Sequence, residues 1–74
     1  MPKFNGHKNW NHWNVSLWIN NDEGLYRMAM ECVRTTRNKE AAARVFIHCI
    51  PDTHTPDGAP YTFSSVRAAI SGMR

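Results

Sequence analysis

Asn9-Trp10-Asn11-His12-Trp13-Asn14-Val15-Ser16-Leu17-Trp18-Ile19-Asn20-Asn21-Asp22 holds all three tryptophans of a 74-residue chain, together with five asparagines. Each indole can bury about 150–250 Å², and its N–H needs an acceptor once it leaves water. Such a tract reads as the packed, polar-pinned nucleus of a fold. Its period admits two structures. Trp13, Val15, Leu17 and Ile19 alternate as in a strand, whereas Trp10, Trp13, Leu17 and Trp18 recur at i, i+3, i+7 and i+8 as on a helix. Asn9 is a good N-cap and no strand-like run lies nearby to pair with, so the tract is read as a helix over about residues 10–20 with its indoles mainly in the core. Trp18, beside Leu17 but off the alternate stripe, is the indole expected to straddle the surface.

Downstream, Asn20-Asn21-Asp22-Glu23 reads as a stop and a restart, Asn20 and Glu23 having capping-box spacing. The second helix is expected from about Asp22 to Thr35. Leu25, Met28, Ala29, Cys32 and Thr36 form its inner stripe, with Tyr26, Met30 and Val33 on the flank. Gly24 in its first turn costs about 1 kcal/mol of helix propensity relative to Ala and points to a close approach by another backbone or an indole. Thr35-Thr36-Arg37-Asn38 is a connector ending in a cap. The third helix follows over about Lys39 to Ile50, with the stripe Ala42, Val45, Phe46, Cys49 and Ile50.

Pro51 closes that helix. The segment from there to Pro60 contains three of the four prolines and is neither helix nor central strand. Pro56-Asp57-Gly58 is a turn, Pro presetting φ and Gly accepting a positive φ. Thr62 then caps a last helix whose Phe63, Val66, Ile70 and Met73 mark one face. The expected fold is all-α: a compact single domain of about four short helices, with a Pro-rich loop before the last. Residues 1–8, with Pro2 and Gly6 and no sustained period, read as a surface arm, and residues 9–74 as the helical domain.

A domain this small buries only about 60% of the surface its unfolded chain exposes, so its stability should be modest. Two cysteines, no apolar run near the ~20 residues of a membrane span and no charged-then-apolar leader give the expectation of a reduced, soluble, cytoplasmic protein without a membrane partner. The formal charge of +3 permits attraction to nucleic acid or to an acidic protein face. That sign, with only six carboxylates, opposes DNA mimicry by a dense acidic surface.

Cys32 and Cys49 both fall on apolar stripes and read as buried small hydrophobes. In an antiparallel helix pair turning near Arg37 they would be offset by roughly 10 Å along the axis, too far for a disulfide. His48, Cys49, Asp52, His54 and Asp57 match no compact zinc spacing, and adjacent His48 and Cys49 would diverge by about 100° on a helix. No metal, cofactor or catalytic residue is therefore assigned. Arg34, Arg37, Lys39 and Arg44 surround the connector between the second and third helices. A helix-turn-helix reader would need base-reading side chains there, but the helix opens Lys39-Glu40-Ala41-Ala42-Ala43. A solvated face or a protein-docking patch suits the cluster better.

The pattern Asn9-x-x-x-Trp13-Asn14-Val15-x-Leu17-Trp18-x-Asn20-Asn21-Asp22-Glu23-Gly24-Leu25-Tyr26, with the later turn Thr55-Pro56-Asp57-Gly58, resembles a family of small domains common in bacteriophages, prophages and plasmids. His12 stands where Thr is more usual in that family. The resemblance implies a mobile-element origin and, by class, a non-enzymatic accessory protein that binds and inhibits a host protein, such as an anti-CRISPR or other anti-defence inhibitor acting by steric occlusion. The residues expected to face a partner are Trp18, Arg34, Arg37, Lys39, Arg44, His54 and Asp57. The alternative is a small nucleic-acid-binding regulator using the basic connector.

Overall fold

A computed structural model describes residues 9–72, so the expected arm at residues 1–8 and the expected inward Met73 lie outside the described residues. Four helices follow one another: α1 (Trp10–Asn21), α2 (Glu23–Thr35), α3 (Lys39–Cys49) and α4 (Phe63–Ser71). The described residues contain no strand, only an isolated antiparallel bridge between His54 and Pro60. The chain is all-α, as its periodicity indicates.

Local chemistry explains each start. Asn9, Asp22, Asn38 and Thr62 are in extended conformation, and each side chain accepts the N–H three residues on, from His12, Leu25, Ala41 and Ser65. Each bond satisfies a donor that the first helical turn leaves without a carbonyl. At Thr62 the arrangement is a full capping box, Ser65 Oγ accepting the Thr62 N–H in return. The cap of α2 is Asp22, two residues after the expected Asn20. Asn20 instead donates its side-chain amide back to the Ser16 carbonyl at 2.8 Å. Asp22 serves both helices, its backbone N–H ending α1 on the Trp18 carbonyl while its carboxylate opens α2. One residue thus suffices for the corner. The close neighbour of Gly24 is this carboxylate, 3.3 Å from where a Cβ would stand, and not an indole or another backbone.

Each helix packs on its neighbours in sequence, and α1 with α4, the most extensive pair, closes the ring. The core is Val15 and Ile19 of α1, Ala29 and Cys32 of α2, Ala42, Ala43 and Phe46 of α3, Ala59 of the loop, and Val66, Ala69 and Ile70 of α4. Five of these are alanines, and the four on helices let the helix axes approach closely. Phe46 is the largest fully buried side chain, and Tyr61 meets it edge to face at 6.4 Å.

The indoles are not the core. Trp10 is 42% exposed, and Trp13 and Trp18 are half-buried. At about 100° per residue, Val15 and Ile19 lie on the side of α1 opposite Trp10, Trp13 and Leu17. The physical reason is space and polarity. An alanine-lined seam admits Val and Ile but not an indole, and an indole N–H in it would lack an acceptor. The inner faces of α3 and α4 are also rotated from expectation. Ala43 is buried in place of Val45 and Cys49, both exposed, and Phe63 is exposed while Ala69 is buried. Both cysteines are free thiols, but only Cys32 is buried.

Candidate functional site

The loop between α3 and α4 folds back on α1 through a compact polar network. Thr55 accepts the Gly58 N–H on its carbonyl at 2.8 Å, and Gly58 takes φ +96°, the left-handed region that glycine enters without strain. This turn holds Thr55 and Asp57 toward the helix. The buried Thr55 hydroxyl donates to Asn14 Oδ1 at 2.6 Å and accepts the Ala59 N–H at 3.0 Å. Asn14, itself 1% exposed, donates Nδ2 to Asp57 Oδ2 at 2.9 Å. Trp18 Nε1 donates to the same oxygen at 3.0 Å. Asn14 and Trp18 are one helical turn apart, so α1 presents both donors side by side. These two bonds hold the Asp57 carboxyl below its ordinary value.

Trp18 and Asp57, two of the residues expected to meet a partner, are thus joined to each other. Asn14 and Thr55 complete the network and were not among the expected site residues. The i, i+4 spacing of Asn14 and Trp18 carried a signal, but nothing in the sequence paired them with a turn some 40 residues on. His54 is exposed, with Thr53 Oγ1 at 2.9 Å from its Nδ1.

The four basic residues do not form one free row. Arg34 pairs with Glu31, and the Arg44 guanidinium lies 5.1 Å over the Phe63 ring, which accounts for that ring's place at the surface. Lys39 opens α3 half-buried, and Arg37 is exposed in the connector. Expected candidates therefore occupy separate places: the α1–loop junction, the connector and the α3–α4 surface.

Two concave surfaces lie on opposite sides of α2. Outward, Tyr26, Met30 and Val33 form an apolar stripe within a shallow concavity of about 610 Å³, bordered by Arg27, Glu31 and Arg34. Tyr26 is 40% exposed, while Met30 and Val33 are half-buried against the core. Arg27 and Arg34 are each balanced by a glutamate, Glu23 and Glu31. Toward the loop, a groove of about 310 Å³ runs between Trp18, α2 and Tyr61. The Tyr61 phenol is raised above its ordinary value by burial, then by Asp52 and Asp22.

Among the described residues, no group of three or more His, Cys, Asp or Glu stands where it could hold a metal ion. No helix of the described residues is long and apolar enough to cross a membrane.

No curated protein and no solved structure matches the chain. One family does, a family of unknown function, DUF7249, over residues 1–73. That span takes in the α1 tract, the Thr55–Gly58 turn and also α4, beyond the stretch that carried the resemblance. The chain belongs to the DUF7249 family.

Proposed function

We propose that this chain is a phage-type accessory protein that binds a host protein and inhibits it by covering its surface, an anti-CRISPR or other anti-defence inhibitor being the specific form. The observation that carries the binding reading is the outward stripe of α2. Tyr26, Met30 and Val33 recur at i, i+4 and i+7, the spacing with which a helix anchors in an apolar groove of a partner. Tyrosine and methionine suit that task, one rigid and amphipathic, the other adaptable. The bordering Glu23–Arg27 and Glu31–Arg34 pairs leave the rim close to neutral, so the matching surface is an apolar cleft with both signs of charge at its edges. The Asn14–Thr55–Asp57–Trp18 network ties α1 to the loop and so supports the scaffold that carries α2. The basic connector offers less support for a nucleic-acid reader, because Arg34 is paired and Arg44 is stacked.

Immobilised protein incubated with bacterial lysate should retain one protein near equal stoichiometry. Met30→Glu should lose it while keeping the wild-type circular dichroism, and Arg67→Ala, on α4, should keep it. Retention of nucleic acid alone, or equal capture by Met30→Glu, would overturn the reading.

A further inference from the structure

The carboxylates of this chain divide by type. Among the described residues every glutamate stands beside an arginine: Glu23 with Arg27, Glu31 with Arg34, and Glu40 with Arg67 at 3.7 Å. No aspartate has a cationic partner among those residues. The chain's three aspartates instead gather around the groove between Trp18 and Tyr61. Asp22 and Asp52 line it, and Asp57 sits on the indole N–H of Trp18, which forms one wall. A chain of net charge +3 thus carries one local surface of the opposite sign. At physiological salt the Debye length is about 8 Å, so a group inside the groove feels these carboxylates more than the distant arginines.

The groove is otherwise apolar and aromatic, with Leu25 and Met28 on the α2 side, Pro56 at the turn, and the two rings as walls. We propose that this groove takes the side chain of an arginine presented by a protein partner. Its methylenes would lie along Met28 and Pro56, and its guanidinium would stack on the aromatic walls within reach of Asp22 and Asp52. Arginine fits better than lysine, because a planar, weakly hydrated cation can stack on a ring and bond a carboxylate at once. Burial raises the Tyr61 phenol first and Asp52 and Asp22 add to it, and carboxylates that disfavour a phenolate favour a cation. Construction is also favourable. Asp22 is fixed as a helix cap, and Asp57 and Trp18 are fixed by the network, so little ordering remains for binding. This site faces away from the Tyr26–Met30 stripe and stands or falls separately from it.

The test is a titration of the ¹⁵N-labelled full chain with acetyl-Gly-Arg-Gly-amide, against the norleucine peptide of the same length. The arginine peptide should shift the Trp18 indole N–H and the amides near Asp52 and Tyr61, saturating with a dissociation constant on the order of millimolar. Asp52→Asn should weaken it about two- to fivefold, the range of one partly solvated ion pair. Met28→Lys, which places an ammonium in the groove, should abolish the shifts while leaving the rest of the spectrum in place. Equal shifts with the norleucine peptide, shifts confined to another face, or unchanged affinity in Asp52→Asn would each overturn the proposal.

Discussion

The indole N–H of Trp18 donates to the carboxylate of Asp57 across 39 residues at 3.0 Å, and Asn14 donates to the same oxygen at 2.9 Å. One carboxylate therefore ties the middle of α1 to the tip of the loop before α4. Because α1 and α4 form the most extensive helix pair, what holds the loop also sets where α4 begins.

That carboxylate gives the fold an acid sensitivity with a defined sign. The Asp57 carboxyl is held below its ordinary value of 3.8 by bonds from Asn14 and then Trp18. Its contribution is complete above the ordinary value and is lost as pH falls through the lower folded one. Thermal melts should show the wild-type midpoint dropping more steeply below about pH 4 than that of Asp57→Asn, which cannot titrate. Parallel curves for the two proteins would show that the network makes no charge-dependent contribution.

Removing the buried amide should cost more than removing a surface one. Asn14→Ala leaves the Thr55 hydroxyl without its acceptor and Asp57 with one donor fewer, and should destabilise by about 1–3 kcal/mol in urea melts. Thr55→Val removes the other end of the same bond. The double variant should lose less than the sum of the two, since the pair acts as a unit. Strict additivity would separate the two residues energetically.

The core is carried by a phenylalanine, not by tryptophan. Phe46→Ala should cost about 3–5 kcal/mol, enough to unfold most of so small a domain. Trp10→Ala, at an exposed ring, should stay within about 1 kcal/mol. Chemical denaturation of both variants checks the order, and the opposite order would place the core on the wrong face of α1.

The thiols should separate cleanly. Cys49 is exposed, whereas Cys32 is buried and its thiol is pushed up by that burial, then by Cys49 and Glu31. A neutral thiol in an apolar site is a poor nucleophile. An aromatic disulfide reagent at neutral pH should label one cysteine in the native protein and two in denaturant, with mass spectrometry of the peptides placing the fast label on Cys49.

Helix ends were legible in the sequence because capping is local: Asn9, Asn38 and Thr62 each lie three residues before the N–H they receive, within one stretch of chain. The cap at Asp22 lies two residues from the expected one because Asn20 has an equally good local alternative, the Ser16 carbonyl, and only the geometry of two abutting helices decides between them. Which side of α1 faces inward was not legible. Apolar side chains occur on both sides of that helix, and the choice belongs to the alanines of the other three. The pairing of Trp18 with Asp57 was half legible: an indole needing an acceptor and an aspartate in a turn were both evident, but a long-range contact leaves no period. The acidic groove was hidden by the net positive charge, which sums over residues that sit on different faces.

On the proposed function, the α1–loop network holds the scaffold while the outward face of α2 would meet the partner. Affinity for the captured partner, measured for Met30→Glu and Asp57→Asn side by side at neutral pH and well below both melting temperatures, tests it most directly. Met30→Glu should lose about tenfold or more, which is about 1.4 kcal/mol, and Asp57→Asn should keep near wild-type affinity. Wild-type affinity for Met30→Glu with a large loss for Asp57→Asn would contradict it.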